Sequence, residues 1–391
     1  MPLSSSDSTY PTVQFSGATS AAQVTLEIQK ISLTHGMSLK DSNAFNIQFF
    51  GHRPMLIDSL SFEKYVEGSP WIAYRQFSQH FLAPLCLAAY TDVRLTNLAS
   101  IWLDGIPLDL ASKMLPRRTY LKLGIMSHIH LQARAMTRAS DPEKAAKPTK
   151  KRSLSRMNFE GILDSLGSTV RGLRPKQRTN IWENYEEDVS YTEKGMSFKI
   201  ETIEAFIERI KPSVVWDLGA NTGRYSRIAG RCADLVVSID SDAGAIEHNY
   251  DVAVREKLQN MISLRQDMTN PTPDLGWAGQ ERVSLEARGP ADLVMALALV
   301  HHLAIGANVP INLIADYFAE LGNTLIIEFV PKEDHRVETM LSEREDIFTE
   351  YNRAAFEHEF SKLFTIEESV EIVESVRVLY LMRKRVDSAS I

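Results

Sequence analysis

"VVWDLGANTGRYSRIAG", residues 214–230, decides how this chain is read. An apolar run carries an acid, Asp217, near its end. Gly219, Asn221 and Gly223 then crowd a short turn, and a helical rhythm follows. A short continuous apolar run bounded by such a turn suits a strand buried on both faces. Glycine lets the backbone bend sharply and lets a ligand approach with no Cβ in the way, and the next helix offers free N–H groups to an anion. In an open parallel sheet, ligands sit beyond the carboxyl ends of the strands, where the strand order reverses. This turn falls there.

Around the turn the pattern repeats. IETIEAFIERI (200–210) is an amphipathic helix, VVWDL a strand, and RYSRIAGRC a helix. LVVSID (235–240), MISLRQD (261–267), ADLVMALAL (291–299) and NTLIIEFV (323–330) read as strands, with AGAIEHNYDVAVREK and INLIADYFAEL as helices among them. RVLYLMRKR (377–385) closes the region as an antiparallel edge. Strands alternating with helices imply an α/β, doubly wound, mostly parallel sheet.

Two phosphate-binding patterns fail. Started at Gly219, the dinucleotide fingerprint G-x-G-x-x-G needs glycine at 221 and 224 and meets Asn221 and Arg224; no G-K-[ST] follows for a P-loop. The remaining pattern, strand–Asp217–x–Gly219–x–Asn221–x–Gly223, resembles the first motif of class I S-adenosylmethionine-dependent methyltransferases. Asn221 stands where that motif usually has its central glycine, and asparagine tolerates positive φ. Asp240 ends LVVSID, 23 residues beyond Asp217, where the resemblance implies an acid for the ribose hydroxyls. Asp267 ends the third strand, beside the adenine amine by the same resemblance, with Met268 packing on the ring. Each aspartate alone is equally a loop or capping residue; three at successive strand ends are more specific. The resemblance covers about 180–385. It implies a Rossmann-like methyltransferase sheet with S-adenosyl-L-methionine as cofactor and no metal.

Composition sets the frame. The 391 residues are 44% apolar and 24% charged with a net charge of -7, which suits a globular chain of two or three domains and argues against nucleic-acid binding by general electrostatics. Cys86 and Cys232 form no disulfide or metal spacing and read as buried thiols. The polar start is no signal peptide, and FLAPLCLAAY (81–90) is too short for a membrane span. A cytoplasmic protein is expected. The expected order is a loose N-terminus over 1–23, a helical and mixed domain over 24–139, a basic linker over 140–156, and the methyltransferase domain over 157–391.

The first half carries its own motif. In HGMSLKDSNAFNIQFFGHRPMLIDS (35–59), Asp41 is followed five positions on by Asn46, then by two apolar strands, the second ending in Asp58. That spacing is similar to the catalytic and metal-binding loops of protein kinase-like and aminoglycoside-phosphotransferase folds. The first aspartate there orients a hydroxyl, while the asparagine and second aspartate hold magnesium. The resemblance implies a kinase-like C-lobe, an N-terminal α+β domain. The loop reads LKD, Ser59 follows Asp58, and no glycine-rich loop precedes them, so a structural lobe is expected, with a phosphotransferase joined to a cofactor-sensing domain as the alternative. His128 and His130 (HIH) lack a third ligand and read as packed side chains.

The acceptor side is less explicit. Enzymes that methylate exocyclic amines of nucleic acid carry a polar-Pro-Pro-aromatic loop after the fourth strand, and this chain has MALALVHHLAIG. His301 and His302 are candidate bases for a hydroxyl, His302 preferred as lying further into the loop; helix capping and cofactor packing are the plainer readings. Glu328, ending the fifth strand, would orient the histidine. Lys332 and Asp334 line the same mouth or are merely solvated, and Trp277 is a pocket wall, a lid or a core residue. The two halves together resemble a bacterial group that includes rhizobial host-specific nodulation proteins. That resemblance implies O-methylation of a small molecule or glycan precursor. The competing reading is a non-catalytic S-adenosylmethionine-binding regulator.

Overall fold

The computed structural model describes residues 13–139, 153–175, 191–342 and 344–385, which divide into two units. In the N-terminal unit, α1 (Phe15–Thr34) opens where a loose terminus was expected. Phe15, Ala18, Ala22 and Leu26 recur at helical spacing and are buried, and that stripe orders the segment. β1 (Met37–Leu39) pairs with β4 (Phe62–Lys64), and β2 (Ile47–Phe50) forms a hairpin with β3 (Arg53–Leu56). Then come α2 (Ala83–Tyr90), α3 (Leu108–Met114), α4 (Leu131–Ala139) and α5 (Arg156–Arg171). Their core is built on Phe77, Phe81, Phe159, Leu163 and Leu166. Because Phe159, Leu163, Leu166 and Val170 share one face of α5, that helix packs with α1 in this unit. The N-terminal unit therefore runs past the boundary expected at 157. Most of the expected linker, 140–152, lies outside the described residues.

The C-terminal unit begins with α6 (Glu193–Ile210) and holds a seven-stranded sheet. Its strands are β5 (Val214–Leu218), β6 (Leu235–Asp240), β7 (Met261–Arg265), β8 (Ala291–Ala296), β9 (Gly322–Phe329), β10 (Phe364–Glu371) and β11 (Val378–Lys384), in the spatial order β10-β11-β9-β8-β5-β6-β7. β5 through β9 run parallel, and β11 is antiparallel to both β9 and β10. The helices are α7 (Arg224–Ala229), α8 (Ala243–Glu256), α9 (Ile311–Leu321), α10 (His335–Ser342) and α11 (Arg353–Leu363). One sheet face packs Trp216, Val294 and Tyr380 with Phe318 of α9 and Phe356 and Phe360 of α11. The other packs Val215, Val236 and Leu293 with Ile203, Phe206 and Ile207 of α6.

The expected antiparallel strand is β11, but it is internal. The edge is β10, which the sequence reading passed over: FTIEESVE is rich in charge and lacks an apolar run. Its Glu367, Glu368 and Glu371 pair with Arg383, Arg209 and Arg353, the kind of charged dressing that keeps an edge strand from pairing with another chain. The chain leaves β7 at one side, returns to β8 beside β5, and so reverses its order at the carboxyl end of β5.

Candidate active site

At that reversal the turn between β5 and α7 places Gly219, Asn221 and Gly223 at φ of 74°, 50° and 77°. This is the left-handed region that glycine and asparagine enter most readily. The turn is tied to the end of β6. Gly219 and Ala220 donate their N–H groups to the Ile239 carbonyl at 2.8 and 3.0 Å, and Asn221 N–H donates to Asp240 Oδ2 at 2.8 Å. Asp240 Oδ1 accepts the Asp242 N–H at 2.8 Å. The two glycines do different work. A Cβ on Gly223 would lie 2.1 Å from Asn249 Oδ1 of α8, whereas one on Gly219 would meet only Leu299, at 3.3 Å. Gly223 makes room for a packed side chain, and Gly219 keeps the crevice side of the turn clear.

Asp217, 2% exposed, accepts a hydrogen bond from Ser226 Oγ. Burial first, and the nearby Asp240 carboxylate, push its carboxyl up to about 7. Burial also raises Asp240, against the backbone N–H groups of Asp242 and Asn221 that favour its charged form. Several buried polar atoms here lack a hydrogen-bond partner: Asn221 Oδ1, both amide atoms of Asn249, and Gln266 Nε2. Buried polar atoms are normally paired, so orphans at the strand ends suit a polar ligand. Asp267 is exposed and folds back on its own loop, accepting from Thr269 N–H at 2.8 Å and Thr269 Oγ1 at 2.7 Å. Met268 packs partly buried against the sheet core.

Across the crevice, β8 leads into His301 and His302, and a π-helical turn winds over His302–Gly306; such turns are frequent at functional sites. The two rings lie 4.2 Å apart. His301 is 2% exposed and its Nδ1 has no partner, whereas His302 is exposed. Burial, followed by His302 and the guanidinium of Arg377, lowers His301 to about 3. Its imidazole is neutral.

Glu328 does not orient either histidine. Its carboxylate accepts from the Tyr191 hydroxyl and from Lys199 Nζ, the latter at 2.6 Å, and Arg377 Nη1 stands 3.7 Å away. Lys199 also donates to the Tyr191 hydroxyl at 3.0 Å, and Arg377 Nη1 does so at 2.8 Å. Asp334, read as a possible mouth residue, is buried under Arg377, while Lys332 pairs with Asp346 at 2.7 Å. Trp277 is 84% exposed on a short turn and belongs to no core.

The sequence reading therefore missed Tyr191, Lys199, Asn249, Gln266 and Arg377. One signal was available: Gly195, Lys199, Ile203 and Ile207 recur every four residues along one buried stripe of α6, so a lysine on that stripe needed an acid.

In the N-terminal unit Asp41, Asn46 and Asp58 hold turns. Asp41 accepts the Asn43 N–H at 2.9 Å, Asn46 Nδ2 donates to Ser61 Oγ at 3.1 Å, Ser61 Oγ donates to Asp58 Oδ2 at 2.6 Å, and Asp58 Oδ1 accepts the Leu60 N–H at 2.8 Å. His128 bonds Tyr74 and Ser165, and His130 bonds Ser112 and Thr119. Cys86 is buried, but Cys232 is exposed, contrary to expectation, because it follows the short α7 into a surface turn. Among the described residues no group of three or more His, Cys, Asp or Glu is placed to hold a metal, and no helix is long and apolar enough to cross a membrane.

Nodulation protein NoeA of Rhizobium meliloti (strain 1021) is 34% identical over 380 residues, covering 96% of this chain and 80% of that protein. The chain belongs to the NoeA family. No family model matches this chain. Its similar solved structures include the N-methyltransferase NodS from Bradyrhizobium japonicum WM9, at 10% identity and a TM-score of 0.38, covering 50% of this chain and 98% of NodS. Magnesium protoporphyrin IX methyltransferase (ChlM) from Synechocystis PCC 6803 with bound SAH is 16% identical with a TM-score of 0.36, covering 49% of this chain and 84% of ChlM. The fold of this chain is given by its own strand order: a Rossmann-like methyltransferase sheet, with antiparallel β11 inserted between β9 and β10.

Proposed function

We propose that the C-terminal unit binds S-adenosyl-L-methionine at the ends of β5, β6 and β7 and directs its methyl group to an oxygen of a small-molecule or glycan-type acceptor. The observation that carries this reading is the turn over 219–223, left-handed at three residues and hydrogen-bonded to Asp240. Bound there, the cofactor supplies a methyl on a sulfonium and its own leaving group. The chain supplies the rest by alignment and proton handling. In this reading Asp240 serves the ribose hydroxyls, Gln266 Nε2 and Met268 the adenine end, with Asp267 beside them, and Asp217 steadies the turn through its hydrogen bond from Ser226. His302, exposed and beside the tilted ring of His301, takes the hydroxyl proton. His301 presents a neutral ring beside it. The name of the NoeA relative supports an acceptor from nodulation chemistry.

The test is a set of fractionated cell extracts incubated with methyl-labelled cofactor. Label should move into one fraction with the wild-type chain and not with Asp240→Ala. Tight cofactor binding with no transfer to any fraction would favour the regulator.

A further inference from the structure

The helix that follows the turn over 219–223 is too short to hold itself. α7 spans only Arg224–Ala229, and an isolated helix of that length is unstable in water. Yet the turn leans on it. Arg227 donates its N–H to the Gly223 carbonyl at 3.0 Å and its Nη1 to the Thr222 carbonyl at 2.7 Å. Whatever fixes the direction of α7 therefore fixes the turn.

Two side chains in the first turn of α7 reach other elements. Ser226 donates to Asp217 on β5. Tyr225 goes to α6: its hydroxyl donates to Met196 Sδ at 3.5 Å, and Lys199 Nζ lies 5.0 Å from the centre of its ring. Met196 and Lys199 are three residues apart, so both contacts fall on one face of α6.

Lys199 is itself firmly held. Its ammonium stands 4.7 Å from the centre of the Tyr191 ring, 3.0 Å from the Tyr191 hydroxyl and 2.6 Å from Glu328 Oε2. Two rings and a carboxylate thus surround one buried cation. An ammonium is attracted to the face of an aromatic ring, and more strongly where water is excluded. Glu328 closes the far side from the end of β9, which runs parallel to β5 through β8. The contacts run unbroken from a central strand, through Lys199 and Tyr225, to the glycine turn.

We propose that Lys199 is a positioning residue for cofactor binding: anchored on Glu328 and acting through the ring of Tyr225, it sets the first turn of α7 and so holds the turn over 219–223 in its receptive shape. The role rests on the reading of that turn as the cofactor site. The coupling of Lys199 to the turn does not, and it is read without cofactor.

The experiment uses the full chain as Lys199→Met/Glu328→Gln, which removes the cation without stranding its counter-charge, and as Tyr225→Leu and Tyr225→Phe. Amide hydrogen exchange without cofactor comes first. The hydrogen-bonded amides of Gly219, Asn221, Gly223 and Arg227 should exchange about tenfold faster in the charge-pair variant and in Tyr225→Leu, the scale of one desolvated cation–ring contact. Amides within β6 and β8 should keep their wild-type rates. Tyr225→Phe keeps the ring and should stay within about threefold of wild type. Calorimetry then reads cofactor affinity. Each of the first two changes should weaken it about tenfold, and the two combined should weaken it no further, because Lys199 acts through Tyr225. Unchanged exchange at the turn, faster exchange spread evenly over the sheet, affinity losses that multiply to about a hundredfold, or a phenylalanine variant as impaired as leucine would each overturn the proposal. If the charge-pair variant does not fold, Tyr225→Leu and Tyr225→Phe still decide by exchange. Failure of the methyltransferase reading would show separately, as absent cofactor binding by the wild type.

Discussion

Lys199 Nζ and Glu328 Oε2 lie 2.6 Å apart, with side chains 4% and 0% exposed. The pair joins α6 to the end of β9, and through the Tyr191 hydroxyl it connects to Arg377 and Asp334. Two buried cations face two buried carboxylates. Removing one member of such a set strands a charge in a medium that solvates it poorly, so breaking a buried pair costs more than the pair itself contributes.

Lys199→Met and Glu328→Gln should therefore each lower the unfolding free energy by about 3–5 kcal/mol. The double variant Lys199→Met/Glu328→Gln should lose less than the sum, because it removes both charges together. Urea melts read this directly. Single variants within 1 kcal/mol of wild type would mean the network is solvated.

His302→Ala should lower turnover by about a hundredfold or more while cofactor affinity barely changes, the usual scale for losing a general base. Near-normal turnover in both His301→Ala and His302→Ala would leave transfer by alignment alone, onto an acceptor already nucleophilic. Steady-state rates and calorimetry on the same preparations separate the two cases.

Asp217 carries a pH signature. Its carboxyl is raised to about 7, chiefly by burial, against about 3.9 in an unfolded chain. The folded state thus binds the extra proton. This group contributes stability that is present below about pH 4 and is lost as pH rises through about 7, by up to about 4 kcal/mol. Asp217→Asn should remove that component, so the difference between the wild-type and variant stability curves should slope from pH 4 to 7 and flatten above. Parallel curves would show that Asp217 is ionised throughout.

The N-terminal unit should not respond to nucleotide. Asp58 spends both oxygens on Leu60 and Ser61, and Asp41 caps its own turn. ATP with magnesium should leave the melting temperature unchanged, since a ligand raises it only by binding the folded state. A clear rise in the wild type that disappears in Asp58→Ala would establish the phosphotransferase alternative.

The C-terminal fold was legible because its strands are short apolar runs closed by residues with a steric or chemical reason to be there: Gly219 and Gly223 at the first turn, Asp240 at the second strand end. β10 was not, because an edge strand facing solvent carries charges where an interior strand carries valine. The charge network was hidden for a different reason. Tyr191 and Lys199, Glu328 and Asp334, and Arg377 come from three stretches that only the folded sheet brings together, so Tyr191, Lys199 and Arg377 looked like ordinary surface residues. Glu328 was singled out for its place at a strand end, and its partners proved to be Lys199 and Tyr191 instead of a histidine. α1 was missed because small and polar residues, among them Gly17, Ala18, Ala21, Ala22, Thr25 and Ser32, build much of its buried face, and a polar start masked their spacing.

The central claim is that the turn at Gly219 receives S-adenosyl-L-methionine. Isothermal calorimetry of the full chain and of Gly219→Val tests it most directly. Gly219 sits at φ 74° with Leu299 3.3 Å from where a Cβ would be, so valine there distorts the turn and fills the approach to it. The wild type should bind the cofactor with one-to-one stoichiometry, and a Gly219→Val variant that retains the wild-type circular dichroism spectrum should show no measurable heat. Equal affinity in the folded variant, or no binding by the wild type, would contradict the account.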